Sequence, residues 1–288
     1  MPLSIPNVLD VQESSGPKIP VVFDSPHSGS IYPSDFAFIA PRDAMTGSED
    51  RFVDELYAVA PECGATLLRA LFPRAYIDPN RSLADLDVSL LDGHWPHKVQ
   101  ASEKVGIGLG LICKYAEADV PIYGRKLSVA EVKRRIEHYY LPYHRALAEL
   151  LDARHARFGQ VWHLNCHSMW PQGTALSTDP GSPRPDVALG DQDGATCSPE
   201  FRSLVHDLFR DMGYEVKVNS PFKGMELVRA FSSPGQGRHS LQIEVNQRLY
   251  LDEKTHERSN GFNNLKKDLT KLIKAVCNYA AEIVEVPK

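Results

Sequence analysis

The sequence predicts an α/β fold, and three observations predict it. Apolar residues recur every two positions in some stretches and every three to four in others, and the two kinds alternate along the chain. The run Ile19–Asp24 is short and β-branched, as a buried strand is. Finally, 288 residues with 42% apolar content suffice for a large core without disulfides. With no internal repeat, low-complexity tract or linker, one domain over 1–288 is expected.

The elements follow in order. Ile19–Asp24 reads as a strand that ends at Ser25-Pro26-His27. Ser48 resembles a helix N-cap, with Glu49 and Asp50 in the first turn and Phe52, Leu56 and Tyr57 on the apolar face. Ala65–Leu71 and Ala75–Asp78 are strand candidates separated by Pro73. Ser128 and Glu131 fit a capping box that opens a helix carrying Val129, Val132, Ile136, Tyr140, Tyr143, Leu147 and Leu150. Pro142 should kink it. Val161–Cys166 is the next strand, and Ser198-Pro199 opens another helix. Tyr214–Val218 and Leu241–Val245 read as strands, and Phe262–Ile283 as a closing amphipathic helix. Two Gly- and Pro-rich segments, Met169–Thr196 and Pro221–Arg238, are long enough to be functional loops.

Charge narrows the class. Lys and Arg total 32 against 37 Asp and Glu, a net charge of −5, which offers no general footprint for nucleic acid. The five cysteines are scattered, odd in number and lack C-x-x-C, so reduced thiols of a cytosolic enzyme are expected. The first residues, MPLSIPNVLDV, carry neither a basic stretch nor a long apolar one, and no window approaches a membrane span. A soluble, cytoplasmic protein is expected.

Several motifs are absent. There is no Gly-Lys dipeptide for a Walker A loop, and Gly106-Ile107-Gly108-Leu109-Gly110 is not G-x-G-x-x-G. His256-Glu257 runs on to Asn260 instead of a second histidine, and no G-x-S-x-G occurs. What remains is histidine and carboxylate at strand ends, where α/β sheets bind ligands. His27 follows the first strand and His167 the Val161–Cys166 strand, so the two converge above the sheet as metal ligands would. Either one alone is as readily a satisfied buried histidine. Glu49 or Asp50 would supply an acidic ligand, although a helix dipole also explains both.

Glu244 shares a strand face with Gln242 and Asn246, opposite Leu241, Ile243 and Val245. On an edge strand that face is merely wet. On an internal strand Glu244 is a carboxylate whose pKa rises into the range of a general base. Arg74, Asn80 and Arg81 form a cluster suited to a carboxylate or a developing oxyanion, or else pair with Asp78, Asp85 or Asp87.

With these residues the chain resembles the N-formylglutamate amidohydrolase family, from Val21 to about Glu253. The resemblance rests on ordered blocks: Ser25-Pro26-His27-Ser28-Gly29, Glu49-Asp50-Arg51-Phe52-Val53, Asp78-Pro79-Asn80-Arg81, Asn165-Cys166-His167-Ser168, Leu189-Gly190-Asp191 and His239-Ser240-Leu241-Gln242-Ile243-Glu244. The family is in turn distantly similar to zinc carboxypeptidases and aspartoacylases. That kinship implies a three-layer α/β/α sandwich around a mixed, largely parallel sheet, with one zinc ion on two histidines and an acid. His27 and His167 match the histidines. The wider clan's acid, three residues after the first histidine, is here Ser30, and the family pattern favours Asp50 over Glu49.

The resemblance further implies hydrolysis of the formyl amide of N-formyl-L-glutamate to formate and L-glutamate, in histidine degradation. Glu244 would be the general base, Arg74 would polarise the carbonyl, and Asn80 and Arg81 would grip the α-carboxylate. Lys223 or Arg238 would take a second carboxylate, and His239 would orient substrate. Mn, Fe, Co or Ni would also suit such ligands. Three alternatives stand beside this reading: a metal amidohydrolase for another N-acyl amino acid, a non-catalytic metal or amino-acid binder, and a Cys166–His167 dyad. The dyad is poor, because adjacent strand residues face opposite ways.

Overall fold

Eleven short strands and eight α-helices are described in a computed structural model. It covers residues 4–284; residues 1–3 and 285–288 of the domain expected over 1–288 lie outside the described residues. In chain order the elements begin with β1 (Leu9–Gln12), β2 (Val21–Ser25), α1 (Arg42–Gly47), α2 (Val53–Leu56), β3 (Thr66–Ala70), β4 (Leu91–Asp92) and α3 (Glu103–Gly106). Then come β5 (Tyr115–Glu117), β6 (Val120–Pro121), β7 (Leu127–Ser128), α4 (Val129–Arg135), α5 (Leu141–Phe158), β8 (Val161–Met169) and β9 (Val187–Gly190). The chain continues through α6 (Pro199–Asp211), β10 (Val216–Val218), α7 (Glu226–Ala230), β11 (Arg238–Asn246) and α8 (Phe262–Ile283). No described helix is long and apolar enough to cross a membrane.

Seven strands form the main sheet in the order β1-β3-β2-β8-β11-β9-β10. β3, β2, β8 and β11 are mutually parallel, while β1 and the β9–β10 pair run opposite to them. The mixed, largely parallel sheet is therefore present. Strand alternation sends side chains into two cores. Val21, Phe23, Leu164, Cys166, Leu241 and Ile243 pack under α2, α6 and α8, while Val22 and Leu68 pack with α4 and α5 on the other face. The three layers follow.

The polar alternates of β8 and β11 are as buried as the apolar ones. His163, Asn165 and His167, with Ser240, Gln242 and Glu244, are all under 8% exposed. β11 is internal, flanked by β8 and β9. Glu244 is thus enclosed in protein.

Some expectations need correction. Ser48 is not an N-cap: it ends α1, its N–H and Oγ both bonding back to the Met45 carbonyl. Phe52 then takes a left-handed φ of 62° before α2 begins. The cause lies in the sheet, since the Asp50 N–H donates to the His27 carbonyl and bends the chain toward the strand end instead of along a helix. Residues 75–78 are a buried turn, not a strand; the Asp78 N–H is taken by the Leu111 carbonyl rather than by a sheet neighbour. The Met169–Thr196 loop contains β9, and Pro221–Arg238 contains α7. Ser128 does cap α4, accepting from the Glu131 N–H, and a π-helical turn at Ile136–Tyr140 precedes Pro142, whose ring can return no N–H bond.

Candidate metal centre and substrate cavity

β2 is joined to β3 on one side and has β8 on the other, so the chain diverges between β2 and β8. Such a switch point opens a crevice at the carboxyl ends of the strands. His27 sits just beyond β2 and His167 near the end of β8, with ring centroids 4.6 Å apart. Asp50 lies between them. Its Oδ2 is 3.0 Å from His167 Nδ1 and 3.4 Å from His27 Nδ1. All three residues are at most 4% exposed.

The outer nitrogens decide which atoms face inward. His27 Nε2 is 2.7 Å from Asp78 Oδ1, and His167 Nε2 is 2.8 Å from Asn165 Oδ1. An Nε2–H that donates to each oxygen leaves both Nδ1 lone pairs turned toward Asp50, the arrangement that outer hydrogen bonds impose on metal-ligating histidines. Among the described residues the buried His27 Nδ1 has no hydrogen-bond partner. Zinc bonds of about 2.0–2.2 Å in a tetrahedral site space the ligand atoms about 3.4 Å apart, and the ligand atoms here lie within 4.8 Å of one another. Two imidazoles and a carboxylate are a donor set that fits a divalent transition metal.

Of the two acidic candidates only Asp50 faces the histidines. Glu49 accepts from the Tyr32 hydroxyl, 2.6 Å away, on the far side of the bend. Burial alone would raise the Asp50 carboxyl, but the His167 and His27 imidazoles beside it outweigh burial and hold Asp50 well below the usual carboxylate range. Asp78 behaves likewise: burial opposes ionisation, and Arg74, His27 and Arg81 more than compensate.

Glu244 lies directly across the β8–β11 ladder from His167. Burial, reinforced by the Asp50 charge, pushes its carboxyl up to about 8, against the pull of His27, Arg74 and Arg184. Gln242 Nε2 donates to Glu244 Oε1 at 2.8 Å and leaves Oε2 free. In the same cavity, of about 370 Å³, are Arg74, Asn80 and Arg81. Arg74 donates to Asp78 Oδ2 at 2.6 Å, so the ion pair with Asp78 exists inside the site. Arg81 donates to the Leu109 and Asn80 carbonyls. Asn80 Oδ1 accepts the Leu227 N–H, and its Nδ2 is 3.1 Å from His167 Nε2.

Three expected substrate residues lie elsewhere. Lys223 points outward to Asp193, 2.7 Å away. Arg238 and His239 start β11, while Glu244 is near its far end; at about 3.3 Å per residue this separates them by roughly 16–20 Å. Arg238 pairs with Asp152, and His239 stacks on Trp162 and accepts from the Ser198 N–H. Conversely, sequence reasoning assigns no site role to Asp78, Asn165, Gln242, Lys104 or Arg184. Period two along β8 would have put Asn165 beside His167, and the same rule puts Gln242 beside Glu244. Lys104 arrives on the short helix α3 and Arg184 on a loop, and neither leaves such a signal.

A family model described as N-formylglutamate amidohydrolase matches residues 19–251, the span that carries every one of these site residues. The chain belongs to the N-formylglutamate amidohydrolase family. Among its relatives is an N-formylglutamate amidohydrolase from Ralstonia eutropha JMP134, whose crystal structure is 43% identical. It superposes with a TM-score of 0.91 over 96% of this chain and 100% of that one. The N-formylglutamate deformylase of Pseudomonas aeruginosa is 28% identical over 82% of this chain and 84% of its own length. That of Pseudomonas putida is 27% identical over 82% and 83%. In this N-formylglutamate amidohydrolase family member the cavity at the β2–β8 crevice is lined by His27, Asp50, His167 and Glu244, all within the matched span.

Proposed function

We propose that the chain is a metal-dependent hydrolase that splits N-formyl-L-glutamate into formate and L-glutamate. The observation that carries this reading is Glu244, placed across the ladder from His167 and beside an inward-facing His27, Asp50, His167 set in a chain of this family. His27 Nδ1, Asp50 and His167 Nδ1 would hold the ion. When bound, a divalent cation there polarises a carbonyl oxygen and acidifies water.

The residues do the rest. Glu244 Oε2 takes a proton from the attacking water as its oxygen adds to the formyl carbon. Gln242 keeps Oε1 occupied, so the proton has one place to sit. Glu244 then returns it to the amide nitrogen as the C–N bond breaks, which releases formate and the free amine of glutamate. Arg74, held rigid by Asp78, faces the cavity and stabilises the tetrahedral oxyanion, a role worth about 3–4 kcal/mol per donor. Arg81 has its Nε and Nη1 tied to carbonyls, and its remaining nitrogen is offered to the α-carboxylate. Asn80, whose Oδ1 takes the Leu227 N–H and whose Nδ2 reaches Gln242 Oε1 at 3.4 Å, braces the cavity wall more than it touches substrate.

The test is formate release from N-formyl-L-glutamate by zinc-loaded protein, beside the Glu244→Gln variant. That variant should lose on the order of 10²–10⁴ in kcat yet bind zinc with unchanged stoichiometry. Turnover that survives in E244Q would remove Glu244 from the chemistry. A zinc-loaded wild type that acts only on other N-acyl amino acids would keep the mechanism and replace the substrate.

A further inference from the structure

We infer that Lys104 is the receptor for the substrate's distal carboxylate and makes this cavity selective for dicarboxylic N-formyl amino acids. The inference rests on the deformylase reading of the same cavity and adds the residue that chooses the side chain.

Four cations line the cavity: Arg74, Arg81, Arg184 and Lys104. Three are already committed. Arg74 is bonded to Asp78, Arg81 to backbone carbonyls with Asp78 3.8 Å away, and Arg184 to both oxygens of Asp179. Lys104 makes no ion pair among the described residues, although it is half-buried. The lining carboxylates are Asp50, Glu244 and the exposed Glu117. Asp50 is engaged by the two histidines and Glu244 by Gln242. Burial, then the Arg81 and Arg74 charges, lower the Lys104 ammonium to about 8, with Glu244 pulling the other way. An ammonium in that setting is a charge that lacks a counter-charge, and a bound carboxylate supplies one.

Its position is fixed by backbone bonds. Asp85, itself 4% exposed, accepts from both the N–H and the hydroxyl of Ser102. Ser102 Oγ in turn accepts the Lys104 N–H at 3.1 Å. The Lys104 carbonyl accepts the Leu109 N–H at 2.7 Å, and the Leu109 carbonyl accepts Arg81 Nε at 2.9 Å. The short helix α3 that carries Lys104, with the segment that follows it, is therefore tied to the residue offered to the α-carboxylate. At Gly110 the segment after α3 presses so closely on the Asp85 carbonyl that a Cβ would sit 2.7 Å from it. On the cavity side Lys104 Nζ lies 5.8 Å from the Phe222 ring centroid, and Arg184 packs on that ring at 4.9 Å. A glutamyl side chain has an apolar stem that suits the ring and a terminal anion that suits the ammonium.

The test compares N-formyl-L-glutamate with N-formyl-L-glutamine, which differ in that one charge, in wild type, Lys104→Met and Lys104→Arg. K104M should lose on the order of 10- to 100-fold in kcat/KM on the glutamate substrate, chiefly through KM. On the glutamine substrate it should stay within about threefold of wild type, and K104R should recover part of the preference. An equal loss on both substrates, or no loss on either, overturns the inference. If wild type releases formate from neither, the deformylase reading fails on its own. Calorimetric binding of L-glutamate against L-glutamine then decides Lys104 separately: weaker glutamate binding in K104M alone supports it, and unchanged selectivity overturns it.

Discussion

At Asp78 one buried carboxylate serves His27, Arg74 and the Asn80 N–H at once, with bonds of 2.7, 2.6 and 2.8 Å. It orients an imidazole, steadies a guanidinium and shapes the turn that presents Asn80 and Arg81. Outer partners of metal ligands are worth about 10–100-fold in affinity. Asp78→Asn should therefore weaken zinc binding by about that factor, read by competition with a chelating dye. Glu49→Gln, one residue from Asp50 yet facing Tyr32, should leave zinc affinity unchanged. The reverse result would mean that the wrong carboxylate has been placed at the ion. In the sequence Asp78 stood out only as a surface partner for arginines, because nothing in its neighbours reveals that three chain segments fold over it.

Along the strands, polar residues do the stitching that apolar ones do elsewhere. Asp24 on β2 accepts from His163 and Asn165 on β8, at 2.9 and 2.8 Å, and from the Tyr143 hydroxyl on α5 at 2.7 Å. Burial opposes its ionisation, but the charge and hydrogen bonds of His163, with Asn165 and Tyr143, leave the carboxyl below its ordinary 3.8. A carboxyl lowered by folding contributes stability that is fully present above the unfolded value and is lost as pH falls through the folded one. Tyr143→Phe removes one of these donors, so the folded value moves back up. The variant should be about 1–3 kcal/mol less stable at pH 7, and its acid unfolding should begin at a higher pH than in wild type. Denaturant melts at pH 7 and an acid titration of ellipticity check both. An unshifted acid midpoint would mean that Tyr143 does not hold the Asp24 charge.

For the molecule as a whole, the proposed ion couples the ends of two strands to the bend after α1. Anything that binds the folded chain alone stabilises it, by about 2.7 kcal/mol at a free concentration 100 times Kd. Zinc should accordingly raise the Tm by several degrees and chelation should reverse it, read by calorimetry. His27→Ala should abolish the zinc-dependent shift, measured against that variant's own metal-free Tm. A shift that persists in that variant would place the ion elsewhere.

How much of this was legible in the sequence follows from where the information lies. Period two along β8 and β11, capping at Ser128 and Ser198, and the long apolar stripe of α8 are local, so the sequence by itself determined the α/β class, the main elements and the meeting of His27 and His167 at strand ends. It also put Glu244 on a polar face. Tertiary structure alone decided that the face is buried, because strand order, with β11 between β8 and β9, depends on contacts across the whole chain. It turned Asp50, and not Glu49, toward the two histidines through one backbone bond to His27. It moved Arg238 and His239 out of the cavity, since they begin the strand that Glu244 nearly ends, and it brought Lys104 in on the short helix α3. Local periodicity specifies which way a side chain points; only the packed sheet specifies what it meets there.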